Sequence, residues 1–430
     1  MSRASDLRAF YTDDGVLPRA ALAELEATLV RSCPSWSLHA LGGGAAWQVA
    51  LFVVAAACAI GLALGWRTRA MTIATWALLT SLQARMPLVL YRGDVVLRAM
   101  LFVAIWLPLG ARFSLDARRR SGSADASPSQ VSGAACFVAA AQLAIVYLVG
   151  VGHKSGPTWR DGTAVYYALQ LDDYVTPAGR WLGARAAWSL ALTYGTLVIE
   201  LAAPLLLFVP WRRDVLRIVA VAAAFALHAG MLVTMRLALF PWIMFACWAL
   251  FLPPRFWDAC GVRGGPARGS ASEDGRGRAH DRRWAPVLGA ALCAIVGWNA
   301  GELAEPPSPS PALGAVLRPL GLVQRWSMFS PDPRRDDGFL VAMERRAEGA
   351  SKRPLLYDDL RWRMYLALVA RDASGRLTAG LLAWLCRRDP SAEELSLVFK
   401  GEYTMPPGEP PYRDDRFLDG ATCETTTLTR

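Results

Sequence analysis

Residues 134–167 read AACFVAAAQLAIVYLVGVGHKSGPTWRDGTAVYY. The first nineteen are almost wholly apolar, long enough to cross a bilayer, and the run ends abruptly at His153 and Lys154. Trp159, Tyr166 and Tyr167 follow. Aromatics collect where membrane meets water, which predicts that the charged pair lies at or just inside the interfacial layer. An amine held there is partly desolvated, which favours its neutral form, the form that can take a proton from a substrate. The competing reading is a snorkelling lysine that only marks a helix end.

The whole chain fits a membrane setting. It has 430 residues, 54% of them hydrophobic and 19% charged, and its mean hydropathy is positive, so a polytopic membrane domain plus a soluble module is expected. The formal charge is +10. Its arginines form short clusters between apolar runs rather than one basic face, which is the positive-inside pattern, and no nucleic-acid partner is expected. Cys58, Cys136, Cys247 and Cys293 lie within apolar runs, and no C-x-x-C or Cys/His metal spacing occurs, so no metal is expected. Cys386 and Cys423 share the C-terminal region and could pair in an oxidising compartment.

Residues 1–44 are polar to amphipathic and contain FYTDDGVLPR, a turn-rich segment followed by a short predicted helix over 20–30. No signal peptide is read there. Eight apolar runs follow, near 45–65, 70–90, 94–111, 134–153, 187–209, 216–235, 237–253 and 285–303. The seventh is the shortest and carries Pro241, as a tilted or re-entrant helix would. If these runs cross in strict alternation, the arginine-rich loops, including 111–132 and 254–284, share one side, which should be cytoplasmic. The first 44 residues, the 155–186 loop and everything after Leu303 then lie outside. The Gly-, Ser- and Arg-rich stretch 261–283 reads as a flexible linker, and EPPSPSP at 305–311 as a stiff spacer. Beyond it, strands are expected over 338–344, 362–371 and 394–399 and a helix over 377–388, a small α+β or β-rich soluble module. Its entry, QRWSMFSPDP (324–333), reads as a packing anchor against the membrane domain.

Polar groups inside the apolar runs are candidate site residues, because an ionised group at membrane depth needs a partner and turns inward. They are Arg85, Asp94, Arg98, Glu200 and His228, with Asn299 and Glu302 at the end of the last run. Asp94 and Arg98 are four apart and can pair with each other or face a substrate. Glu200 precedes Pro204 by one turn, a kinked helix suited to a pocket wall. His228 stands on an apolar face, where a satisfied core histidine is the commoner role.

With these residues in view, the chain resembles the horizontally transferred transmembrane (HTTM) domain family, whose best-known relatives are the vitamin K-dependent gamma-carboxylases. The matching stretches are FYTDDGVLPR, RGDVVLRAMLFVAIWLPLGARFSLDARRR, VYLVGVGHKSGPTWRDGTAVYYAL and QRWSMFSPDP. In the carboxylases a lysine five residues before a tryptophan is the base that deprotonates vitamin K hydroquinone, and Lys154 stands at that offset from Trp159. The resemblance implies Lys154 and His153 as catalytic groups, with Asp94, Arg98, Trp159, Asp161, Glu200 and His228 around a quinol-like or other membrane-soluble substrate. His153 replaces the family's preceding lysine, and Asp94 falls near a family pocket histidine. The large extracytoplasmic part of the carboxylases is reduced here to about a hundred residues. Members usually carry one more helix before FYTDDGVLPR, so the resemblance implies a further span upstream.

The expected architecture is an all-α polytopic membrane bundle of about eight transmembrane helices over 45–303, with a small C-terminal soluble module over 304–430. The expected setting is a bacterial inner membrane, with the lipid bilayer as surroundings and a reduced quinone or lipid as ligand. A carboxylase-like or quinol-linked enzyme and a non-catalytic scaffold that has lost the chemistry are the two rival readings. What separates them is whether Lys154, Glu200, His228 and Asp94 converge on one cavity.

Overall fold

The computed structural model describes residues 3–29, 36–120, 133–261, 271–357 and 359–423, and nothing is described of the side chains at 26–29, 120 and 271–282. The N-terminal segment holds two helices, α1 (Leu7–Tyr11) and α2 (Arg19–Leu29). Eight helices then occupy the eight apolar runs: α3 (Ala45–Ala63), α4 (Thr68–Arg85), α5 (Arg92–Ala104), α6 (Ala134–His153), α7 (Ala186–Leu206), α8 (Arg213–Thr234), α9 (Phe240–Ala249) and α10 (Ala271–Leu303).

Among the described residues, five of these are long and apolar enough to cross a bilayer: α3, α6, α7, α8 and the 283–303 part of α10. The expected count of eight is not reached by that measure. Helices α5 and α9 have only 13 and 10 residues, short of the roughly 20 that a span needs. Helix α4 is long enough but polar, with Thr72, Thr80, Ser81, Gln83 and Arg85 all buried. The bundle is thus turned inside out relative to a soluble protein. Gln48, Gln142, Thr193, Glu200 and His228 are buried, while Val53, Ile60, Val198, Leu201, Val219 and Val233 are exposed on the helices that carry them, as apolar surroundings require. The stretch expected as a flexible linker is divided: residues 262–270 lie outside the description, and from Ala271 the backbone is already helical.

Two buried arginines tie the chain's irregular segments to the bundle. Arg85 donates to the carbonyls of Leu17 (3.0 Å) and Thr12 (3.2 Å), holding the FYTDDGVLPR turn. Arg98, fully buried, donates to Gln83 Oε1 and the Gly321 carbonyl (2.5 Å each) and to the Val323 carbonyl (3.2 Å). Gly321 adopts φ +61°, and a Cβ there would lie 2.8 Å from Arg98 Cδ, so both backbone and space call for glycine.

The C-terminal module is a four-stranded antiparallel sheet in the order β2-β1-β3-β4, made of β1 (Asp336–Arg346), β2 (Gly349–Pro354), β3 (Glu394–Tyr403) and β4 (Tyr412–Thr422). Two helices, α11 (Leu360–Val369) and α12 (Arg376–Arg388), complete it. The strand expected over 362–371 is α11. Its buried residues include Trp362, Tyr365, Leu366 and Val369, a spacing of three and four that marks one helical face, and the Asp359 side chain caps it by accepting from the Arg361 amide. Strands β2 and β4 have no sequence signal, because their mostly exposed edge residues carry no apolar alternation. Cys386 and Cys423 form a disulfide that joins α12 to the residue just after β4.

The N-terminal segment and the module share one core: Phe10, Tyr11, Val16 and Leu17 pack with Trp362, Tyr365, Leu381 and Leu385. Trp362 Nε1 donates to Asp6 at 3.0 Å and Arg387 to the Gly15 carbonyl at 3.1 Å.

Candidate functional site

The site begins where α6 stops. After Lys154 the chain does not leave the bundle but folds back along the first half of α7 in short helical turns. The Val165 amide donates to Thr193 Oγ1 (3.1 Å), the Tyr166 amide to Ser189 Oγ (2.8 Å), and the Tyr194 hydroxyl to the Arg160 carbonyl (2.6 Å). This return loop places Lys154 opposite Glu200, and the two form an ion pair with side chains only 6% and 8% exposed. Glu200 is fourteen residues past Ala186, the first residue of α7, or about 21 Å of helix rise. The amine is therefore buried against the second half of α7. Pro204, one turn on, has no amide hydrogen to offer the Glu200 carbonyl.

Trp159 lies against the Lys154 side of the pair. Its ring centroid lies 4.7 Å from Lys154 Nζ, a cation–π distance, and its indole Nε1 donates to the Phe329 carbonyl at 2.9 Å. The Thr158 amide donates to Asp332 Oδ1 at 2.9 Å. QRWSMFSPDP is thus more than an anchor. Trp326 is fully buried, while Ser327, Met328, Phe329, Ser330 and Asp332 form one wall of a cavity of about 710 Å3.

Lys154, Trp159 and Glu200 line that cavity, together with Arg92 and Arg334, residues of α7 and α8, and Leu360 and Met364 of α11. A small adjoining void of about 20 Å3 is bounded by Lys154 and Glu200 on one side and Tyr147 and His228 on the other. There the Trp248 indole donates to the Tyr147 oxygen at 2.6 Å, and Tyr147 Oη lies 2.7 Å from His228 Nε2. An indole N–H only donates, so the Tyr147 oxygen accepts from Trp248 and shares a second hydrogen bond with Nε2 of His228. Nδ1 is buried and has no partner.

Lys154, Glu200, His228 and Trp159 therefore converge, and the other expected site residues lie elsewhere. Asp94 is an inter-segment tie, 2.6 Å from Arg3 and 3.6 Å from Arg361, and Arg98 clamps the 321–323 backbone rather than facing the cavity. Asp161 accepts from the Thr163 amide and hydroxyl in a local turn. His153 ends α6 with a buried, unpartnered Nε2 and is not part of the cavity wall. Sequence reasoning missed Arg92, whose Nη2 donates to Ser327 Oγ at 3.3 Å, and Arg334, 3.5 Å from Asp173. Both lie in or beside stretches singled out for other reasons. Among the described residues, no group of three His, Cys, Asp or Glu side chains is placed to hold a metal.

The profile of the HTTM domain matches residues 37–257. The chain belongs to the HTTM family. Neither curated proteins nor solved structures yield a match. In this HTTM protein the matched stretch supplies Lys154, Trp159, Glu200 and His228, whereas the cavity wall from 327 to 334 and the α11 cap lie beyond it.

Next to the cavity the module meets the return loop through carboxylates. Asp337 Oδ1 accepts from the Gly338 amide at 2.8 Å, and its other oxygen accepts from the Asp172 amide. Burial, then the neighbouring Asp173, raise its pKa to about 6. Because the folded-state value lies above the unfolded one, its stabilising contribution is complete below about pH 4 and is lost as pH rises through about 6. Asp337→Asn is neutral at every pH, so it should flatten the gain seen on acidification, while its NH2 group costs one of the two accepted backbone bonds at every pH. Melting curves of both forms between about pH 5 and about pH 8 measure this. Parallel curves would show that Asp337 does not titrate in that window.

Proposed function

We propose that this protein binds a membrane-soluble, weakly acidic molecule in the 710 Å3 cavity and moves a proton through the Lys154–Glu200 pair. The pair in the cavity wall, stacked on Trp159, is the observation that carries this reading. A single transfer between Nζ and the carboxylate converts the ammonium–carboxylate pair into a neutral amine and a carboxylic acid, which a dry, low-dielectric site makes accessible. The amine then accepts the substrate's proton. The ammonium is restored, the carboxyl stays protonated, and the negative charge has moved from Glu200 to the substrate. Lys154 is the group that meets substrate, and Glu200 is where the proton comes to rest. A quinol-like head fits this chemistry, which makes a carboxylase-like or other quinol-linked enzyme the family-consistent activity. The scaffold reading draws on the same pair, since each partner satisfies the other without a ligand. Lys154→Arg separates the two: it keeps the ion pair but cannot present a neutral amine, so it should insert normally and fail to complement a deletion strain.

In the same proposal all eight apolar helices lie across a bacterial inner membrane, with the shorter α5 and α9 held by their neighbours, and the module is extracytoplasmic. The Cys386–Cys423 disulfide supports that side, since such bonds persist in oxidising compartments. Alkaline phosphatase fused after Arg430 should be active. An inactive fusion, with a cytoplasmic reporter active at the same site, would reverse the orientation.

A further inference from the structure

Strands β3 and β4 run on past the core that the module's helices cover. Phe399 is the last residue of β3 packed against that core, and the ladder continues to the opposed pair Tyr403 and Tyr412. Both tyrosines stay open, at 43% and 63% exposed. The tip that joins them, TMPPGEPP (404–411), has four prolines and one charged residue, Glu409, and residues 406–411 are exposed. Proline has no amide hydrogen, so the tip carries few backbone donors that would need a partner where water is scarce. The Glu409 amide is already bonded to the Pro406 carbonyl at 3.1 Å.

The fold brings this tip to the outward surface of the bundle. The Thr404 amide donates to the Arg335 carbonyl at 2.7 Å, the Arg335 guanidinium lies 4.3 Å over the Tyr167 ring, and the Tyr166 hydroxyl donates to the Met405 carbonyl at 3.3 Å. Tyr166 is itself fixed through its amide to Ser189, the fourth residue of α7. The root of the tip is therefore one tyrosine side chain away from the first turn of α7. At that end of α7 Trp188 and Leu190 face outward, and Trp181 is exposed just before the helix. Exposed tryptophans at the end of an apolar helix mark the layer between hydrocarbon and water.

We infer that the β3–β4 hairpin is the module's foothold on the bilayer. Its tip lies in the headgroup layer on the module's side, and the partner of Tyr403, Tyr412 and the prolines between them is a lipid surface. Tyrosine suits that layer because its ring is apolar and its hydroxyl can stay wet. With Glu409 as the one charge of residues 404–411, the attachment is apolar, so zwitterionic lipid suffices and salt does not release it. The inference requires the bundle to lie in a bilayer. It depends neither on the Lys154 chemistry nor on which side of the membrane the module lies.

The test uses the full chain in phosphatidylcholine nanodiscs containing a phosphatidylcholine with a diazirine near its glycerol backbone. Labelled peptides are mapped by mass spectrometry after photolysis. The peptides holding Trp188 and residues 404–412 should both be labelled, and the peptide holding β2, at the opposite edge of the sheet, should not. Tyr403→Ser combined with Tyr412→Ser should lower the hairpin label about fivefold and leave the Trp188 label unchanged. Tyr412→Ser alone serves if the double change disturbs the sheet. An unlabelled hairpin beside a labelled Trp188 peptide overturns the foothold, and so does undiminished hairpin labelling in the tyrosine variants. Hairpin label that needs anionic lipid, or is lost in about 0.5 M salt, overturns it in favour of attraction by charge. A hairpin-to-hairpin cross-link between two copies of the chain, in place of lipid label, makes the surface an interface between copies and overturns it as well.

Discussion

Glu200→Gln should be as inactive as Lys154→Ala, each losing about 10²- to 10⁴-fold in whatever proton-transfer activity the protein supports. The equality follows from the charge count. When the proton ends on Glu200 by way of Lys154, the amide of glutamine removes the final acceptor as completely as alanine removes the relay. A lysine acting alone gives a different pattern, in which Glu200→Gln retains substantial activity because the amine is then freed from its partner. Small added amines should rescue Lys154→Ala in part but not Glu200→Gln, since an exogenous amine replaces the relay and not the carboxylate. Complementation of a deletion strain, with membrane insertion checked for every variant, measures all three. If Lys154→Arg and Glu200→Gln both insert and complement fully, the pair is structural and the protein is a scaffold.

Arg98→Met is expected to destabilise the folded protein by about 3 kcal/mol or more. It would leave the Gly321 and Val323 carbonyls and Gln83 Oε1 buried without the guanidinium that they share, at about 1–3 kcal/mol for each orphaned group. Methionine matches the apolar stem of arginine, so the loss reports hydrogen bonding rather than volume. The 321–323 backbone leads straight into the cavity wall, and loosening it should also open the chain there to protease. Thermal melting in detergent and limited proteolysis near residue 320 report the two effects. A melting temperature unchanged from that of the parent would show that the carbonyls find other partners.

The apolar runs, the abrupt end of the 134–153 run at His153 and Lys154 and the matching stretches were enough to predict an apolar helical bundle and its family. These are local properties, fixed by which residues must avoid water and by spacings along one segment. The same locality predicts a strand over 362–371, where burial follows a three-and-four spacing, and gives no signal for the polar edges β2 and β4. It also put Asp94 and Arg98 in the site, since charge in an apolar run shows that a partner is needed but not which one. Tertiary structure decided the partners. It gave Asp94 to Arg3 and Arg361, gave Glu200 to Lys154 across 46 residues, and turned the loop after Lys154 back against α7. It also brought residues 327–334, far along the chain, to close the cavity. Pairing energies depend on distance in space, and no spacing along the chain encodes which segments the fold will bring within reach.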